Sequence, residues 1–192
     1  MNIGIYGGSF NPIHFGHIGL VKWVAEHSDL DEVWLMVSPN NPLKKSKVDT
    51  QKSKEGPNYD LSTNFAERFR AAQQALAETP CTKTLRASDF EDHLPRPSYT
   101  ANTLRELTKA YPEHVFSLII GADNWALFDK WKEYDFILSN FRIFVYPRPG
   151  YDITPRPGCD MSPRPDLTAK ALVFCSSAPT FDISSTQLRT QQ

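Results

Sequence analysis

Two histidines three residues apart, His14 and His17, follow the glycine-rich stretch Gly7-Gly8-Ser9-Phe10-Asn11-Pro12. Side chains at that spacing share one face of a helix. If a helix opens after Pro12, both imidazoles stand at its N-terminus, where free backbone N–H groups and the helix dipole favour an anion. Gly7 and Gly8 let backbone N–H groups approach that anion with no Cβ in the way. Gly16, between the histidines, keeps the backbone accessible. Each imidazole can donate a hydrogen bond to a phosphate oxygen. The pair could also be half of a metal site, but no nearby Asp, Glu or Cys has a suitable spacing to complete it.

The elements around this stretch must hold it in place. Asn2–Tyr6 reads as a short apolar strand, Phe15–Glu26 as a helix with Ile18, Val21, Trp23, Val24 and Ala25 on its apolar face, and Glu32–Ser38 as a second strand. Strand, turn, helix and strand make one βαβ unit, and continuous apolar strands favour a buried parallel sheet. Further along, helices are predicted over Leu61–Glu78, Thr100–Tyr111 and Trp125–Leu138. Strands are predicted over Thr84–Ala87, Val115–Gly121, Phe141–Tyr146 and Ala171–Cys175, and Asp182–Arg189 starts a terminal helix. This alternation predicts one α/β domain over residues 1–192, a doubly wound, Rossmann-like parallel sheet flanked by helices. Such sheets bind ligands at the carboxyl ends of their strands, and the first βα turn is the usual phosphate site.

Two segments interrupt the pattern. Residues 39–60 are polar and lysine-rich with three prolines, and read as a long mobile loop. Pro-Arg-Pro recurs at 147–149, 155–157 and 163–165, so that 147–166 reads as a duplicated, extended loop. A Pro-rich docking motif, or a basic loop near phosphates, is the sharper alternative.

The chain of 192 residues is 40% hydrophobic, with a formal net charge of -1. That balance supplies no global field for nucleic acid or an anionic membrane, so any phosphate must be held by local groups. No apolar run approaches the ~20 residues needed to span a bilayer, and the first strand begins with no signal-peptide pattern before it. Cys81, Cys159 and Cys175 show neither disulfide nor zinc spacing, which fits a reducing cytoplasm.

Gly8-x-Phe10-x-Pro12-x-His14-x-Gly16-His17 resembles the signature of the nucleotidyltransferase superfamily with the (His/Thr)-x-Gly-His motif. Ile183-Ser184-Ser185-Thr186-Gln187-Leu188-Arg189 is similar to the second signature of that superfamily, Ile-Ser-Ser-Thr-x-x-Arg. Between them, Pro97-Ser98-Tyr99-Thr100, Thr103-Leu104, Ile119-Ile120-Gly121-Ala122-Asp123, Lys130-Trp131 and Arg148-Pro149-Gly150 resemble the bacterial nicotinate-nucleotide adenylyltransferase family. The resemblance implies transfer of AMP from ATP to nicotinate mononucleotide, normally with Mg²⁺.

It also implies roles. His14, His17, Lys44 and Arg189 would serve the reacting phosphates. Gly7, Gly8, Ser9, Phe10, Gly16, Gly121, Asp123, Arg148, Ser185 and Thr186 would bind ATP. Asn40, Tyr99, Thr100 and Trp131 would bind the acceptor, Trp131 stacking on its pyridine ring and Tyr99 and Thr100 lying near its carboxylate. The alternative for Trp131 is a core anchor beside Phe128 and Tyr134, and for Asp123 a helix N-cap. The family pattern has a histidine where this chain has Leu43, and it continues through a helical segment beyond the arginine, where three residues follow Arg189 here. A sibling adenylyl- or cytidylyltransferase and a non-catalytic nucleotide-binding module stay open, as does a homo-oligomer.

Overall fold

The computed structural model describes residues 1–39, 65–151, 153 and 172–181. Six strands form one sheet: β1 (Asn2–Gly8), β2 (Glu32–Val37), β3 (Thr84–Ser88), β4 (Val115–Gly121), β5 (Arg142–Tyr146) and β6 (Leu172–Phe174). Their spatial order is β3-β2-β1-β4-β5-β6, and every neighbouring pair is parallel. The order reverses between β1 and β4, which is where an open sheet of this kind leaves a crevice at the carboxyl ends of its strands.

The unbroken apolar runs are explained by burial on both faces. Alternate side chains of one strand enter different cores. Ile3 and Ile5, Trp34 and Met36, Leu118 and Ile120, and Ile143 and Val145 face one layer. Tyr6, Val33, Leu35, Val37, Ile119, Phe144 and Tyr146 face the other. Helices α1 (Phe15–Glu26) and α2 (Phe65–Ala77) cover the second layer. Helix α3 (Thr100–Ala110), the single turn α4 (Ala122–Trp125) and α5 (Tyr134–Asn140) cover the first. Among the described residues no helix is long and apolar enough to cross a membrane.

The strands and most helices fall where the sequence pattern predicts them. On α1 the fully covered residues include Leu20, Val21, Val24 and Ala25, whereas Ile18 and Trp23 are half-buried at the border of the face. The predicted helix Trp125–Leu138 is a larger correction. It is three pieces: α4, a 3₁₀ turn over Phe128–Lys130, and α5. Glu133, just before α5, adopts φ 56°, a left-handed conformation that costs a non-glycine residue of order 1 kcal/mol or more. A bidentate-capable partner holds it there: Arg105 of α3 reaches its carboxylate at 2.7 Å. The break turns Trp131 and its neighbours toward the carboxyl end of the sheet.

The expected loop over 39–60 lies, beyond Pro39, outside the described residues, as do residues 61–64 at the start of the second predicted helix and the terminal helix over 182–189. Of the Pro-Arg-Pro copies, only the first is described. It closes a turn in which the Tyr151 N–H donates to the Arg148 carbonyl at 3.1 Å, and Gly150 supplies the positive φ of 80° that the turn requires.

Candidate active site

A cavity of about 590 Å³ opens at the carboxyl ends of β1 and β4. At one end stand the turn residues Gly7, Gly8, Ser9 and Phe10 with His17; at the other stand Tyr99, Thr100 and Trp131. Asp123 and Arg148 line it as well. Ten of the residues singled out from the sequence therefore meet in one place, although they come from five separate parts of the chain.

The glycine turn leads straight into α1. Phe10 takes φ 44°, strained for a non-glycine residue, and is held by packing. Its buried ring meets Tyr6 at 5.6 Å and the His17 ring edge-on at 5.1 Å. Gly8 is needed for this packing, since a Cβ there would lie 3.0 Å from the Phe10 ring. Gly7 differs, because a Cβ on it would meet nothing within 4 Å. Its bareness serves the open space beside the turn.

His14 is the N-cap residue of α1, and its ring stacks on that of His17 at 3.7 Å. The His14 backbone N–H donates to His17 Nδ1 at 3.3 Å, which leaves Nε2 of His17 as the protonated nitrogen. Both ring nitrogens of His14 are covered and have no hydrogen-bond partner among the described residues. Burial, and then the Arg148 cation, hold the His14 pKa below its ordinary value, so the ring is neutral near pH 7. His14 lies behind His17 and does not itself line the cavity; neither does Gly16, which is buried within α1.

Below the turn, side chains from β1, β5, α4 and the segment after β5 converge. The Tyr6 and Tyr146 hydroxyls are 3.3 Å apart, and the Arg148 guanidinium lies 5.1 Å from the Tyr146 ring centre. Burial raises both tyrosine pKa values, so these hydroxyls keep their protons. Burial also opposes the Arg148 charge, but the facing Tyr146, Tyr6 and Asp123 outweigh it and its pKa is raised. Asp123 is 3.8 Å from Arg148 as an ion pair. The N-cap of α4 is Gly121, so Asp123 is not the cap that its position suggested. Gly121 stands behind the cavity wall and makes room for Asp123, because a Cβ on Gly121 would collide with that carboxylate.

Two buried charged residues give no local signal in the sequence. Arg68 of α2 donates to the carbonyls of Ser9 at 2.5 Å, Ser38 at 2.9 Å and Pro39 at 3.3 Å, tying α2 to the turn and to the end of β2. Glu91 lines the cavity, accepting hydrogen bonds from the Ser38 hydroxyl and, at 2.8 Å, from that of Thr103. Burial raises its pKa, partly offset by those two bonds. A mid-helix arginine and an acid in a Glu-Asp pair look like solvent-facing charges until the long-range contacts are known.

At the aromatic end, Trp131 is half-buried, 5.4 Å from Phe128, and also lines the cavity. The core-anchor and ligand-facing readings of this residue are therefore compatible. Tyr99 is the N-cap of α3 and Thr100 its first residue. At the far end of the described chain, Phe181 lies against α1: its ring is 6.1 Å from that of Phe15, and a Cβ on Gly19 would collide with it. Asn40, Lys44, Ser185, Thr186 and Arg189 lie outside the described residues.

Comparison with known proteins follows the same lines. The cytidylyltransferase-like family model matches residues 5–191. The chain is similar to a probable nicotinate-nucleotide adenylyltransferase of Bacteroides thetaiotaomicron, 44% identical over 189 residues that cover 98% of this chain and 80% of that one. It is similar to another of that name from Bacteroides fragilis, 44% identical over 186 residues covering 97% and 79%. In fold it is similar to Plasmodium falciparum nicotinic acid mononucleotide adenylyltransferase complexed with NaAD. The TM-score is 0.66 over 98% of this chain and 82% of that one, and at 16% identity the likeness is one of fold.

Proposed function

We infer the reaction from one premise: the chain belongs to the cytidylyltransferase-like family and, within it, to the nicotinate-nucleotide adenylyltransferases. It moves AMP from ATP to nicotinate mononucleotide, forming deamido-NAD and pyrophosphate. The observation that supports this most is that one cavity has the glycine turn at one end and an aromatic wall at the other. A dinucleotide product has that same polarity. Because the turn, the start of α3 and the segment before α5 line one space, residues 1–192 are read as one catalytic domain.

The acceptor's phosphate is already a nucleophile, so the chain needs no general base. One of its oxygens bonds to the α-phosphorus of ATP while the bond to the bridging oxygen of pyrophosphate breaks in line. Catalysis of such a step is alignment and stabilisation of developing charge. In this reading the N–H groups of the β1–α1 turn cradle ATP phosphates, the start of α1 adds its dipole, and His17 donates from Nε2. His14, stacked on His17 away from the cavity, fixes the orientation of the His17 ring. Lys44, Ser185, Thr186 and Arg189 would close the charge from the remaining sides. Asn40 would contact the acceptor. Asp123 and Arg148 would hold the ATP side of the cavity, while Trp131 stacks on the pyridine ring.

Mg²⁺ enters this reading on the triphosphate of ATP. Among the described residues no three His, Cys, Asp or Glu side chains gather as a ligand set, and Mg²⁺ commonly binds through substrate phosphates. The purified chain should convert ATP and nicotinate mononucleotide to deamido-NAD with equal release of pyrophosphate. If phosphopantetheine reacts in its place, the acceptor assignment is wrong. If no acceptor in a panel yields pyrophosphate, adenylyl transfer itself is wrong.

A further inference from the structure

The acceptor end of the cavity has to distinguish two mononucleotides of nearly the same shape. A ring carboxylate carries a full negative charge and only accepts hydrogen bonds, whereas a carboxamide is neutral and also donates. Shape cannot separate them well, so discrimination requires a cation or fixed donors with no acceptor beside them.

Of the cations in and around the cavity, the two arginines are neutralised, Arg148 toward the ATP side, whereas Lys130 and Lys132 line it with no carboxylate partner among the described residues. Arg105 is paired to Glu133 at 2.7 Å, and Arg148 to Asp123 at 3.8 Å. The Lys132 ammonium sits 4.6 Å from the centre of the Tyr99 ring. Among the described residues its contact is thus with an aromatic face and not with a carboxylate. A ring holds a cation in place without cancelling its charge. Lys132 is exposed, so the ammonium is within reach of a ligand, and it follows Trp131 directly in the chain. Tyr99, the residue beneath it, is also the N-cap of the 11-residue helix α3, whose dipole presents its positive end at the same place. Charge, donors and helix end therefore agree in sign around one corner of the cavity.

We propose that Lys132 is a specificity-determining residue of the acceptor site, its ammonium held over the Tyr99 ring to select a mononucleotide bearing a ring carboxylate over one bearing a carboxamide. This rests on the adenylyl-transfer reading above. The left-handed Glu133 and its pairing to Arg105 gain a purpose from it: they remove the adjacent carboxylate from Lys132 and give it to α3.

The test is steady-state kinetics of the full chain with nicotinate mononucleotide and with nicotinamide mononucleotide at saturating ATP. The variants are Lys132→Gln, Lys132→Arg and, as a neighbour that also lines the cavity, Lys130→Gln. In Lys132→Gln the ratio of kcat/KM for the acid over the amide should fall about fivefold, the upper end for a charge pair at a wet cavity mouth. The loss should lie in KM for the acid, with KM for ATP unchanged, and Lys132→Arg should restore the ratio. A ratio unchanged in Lys132→Gln, an equal loss with both acceptors, or a larger effect from Lys130→Gln overturns the assignment while leaving the reaction intact. If the parent chain turns over neither mononucleotide, the reaction fails first and the assignment goes with it.

Discussion

Replacing Gly7 with alanine should leave the fold intact and weaken ATP binding, because the protein itself has no use for the missing Cβ. Gly7 lies near the end of β1, in register with Met36 of β2, and its φ is outside the left-handed region. A methyl group there meets no atom within 4 Å. Glycine in a strand costs roughly 0.5–1 kcal/mol relative to alanine, so the variant should be as stable as the parent or slightly more so. In the complex the methyl stands beside the backbone N–H groups that would cradle a phosphate. Losing one charge-assisted hydrogen bond costs about 1.5–3 kcal/mol, which is roughly a 10- to 150-fold rise in the Kd for ATP. Thermal unfolding and calorimetric titration of ATP read the two effects separately. Gly121→Ala is the contrast, since its Cβ would collide with the Asp123 carboxylate, and both stability and binding should suffer. An unchanged Kd in Gly7→Ala would refute the phosphate-cradle role of the turn.

Three further outcomes follow from the same geometry. His17→Ala should lower kcat by about 10²-fold, in the range of a lost transition-state donor, with ATP binding largely kept; a tenfold smaller effect in single-turnover assays removes His17 from the reacting charge. Arg68→Met leaves the buried carbonyls of Ser9, Ser38 and Pro39 without their donor and should cost at least about 3 kcal/mol in denaturant titrations, so a variant of parental stability contradicts the strap that Arg68 makes. Glu91→Gln carries a pH signature. The folded pKa of Glu91 lies above its ordinary 4.5, so the wild type loses stability as pH rises from 4.5 through the folded value. The amide cannot ionise, and its stability advantage should grow across that window and vanish below it; a difference independent of pH sinks this account.

What could be read from the sequence was whatever chemistry is local. Gly7 to His17 is contiguous, its turn and helix follow from residue types and spacing, and the stacked histidines stand as a spacing of three implies. The sheet was legible for a related reason, since strands buried on both faces must be apolar throughout. The parts that stayed hidden are those in which distant residues borrow meaning from each other. Tyr6 and Tyr146 look like ordinary strand residues, and only the placing of β1 and β5 on either side of β4 brings their hydroxyls to 3.3 Å. Arg68 and Glu91 look solvated, yet both end on Ser38, which also donates its own N–H to the Gly8 carbonyl at 2.8 Å. One serine thus joins the phosphate turn, the α2 strap and, through Glu91 and Thr103, the helix that presents Tyr99. The misread helix over 125–138 belongs to the same class. No glycine or proline marks its break, because Arg105 holds Glu133 in the left-handed conformation from another element. Tertiary contacts decided that backbone, and the same contacts put Trp131 and Lys132 at the cavity. The turn's own conformation is therefore set by local sequence, while its attachment to α2 and the acceptor half of the site are set by long-range packing, which is why perturbing Gly7 should touch binding and perturbing Arg68 should touch stability.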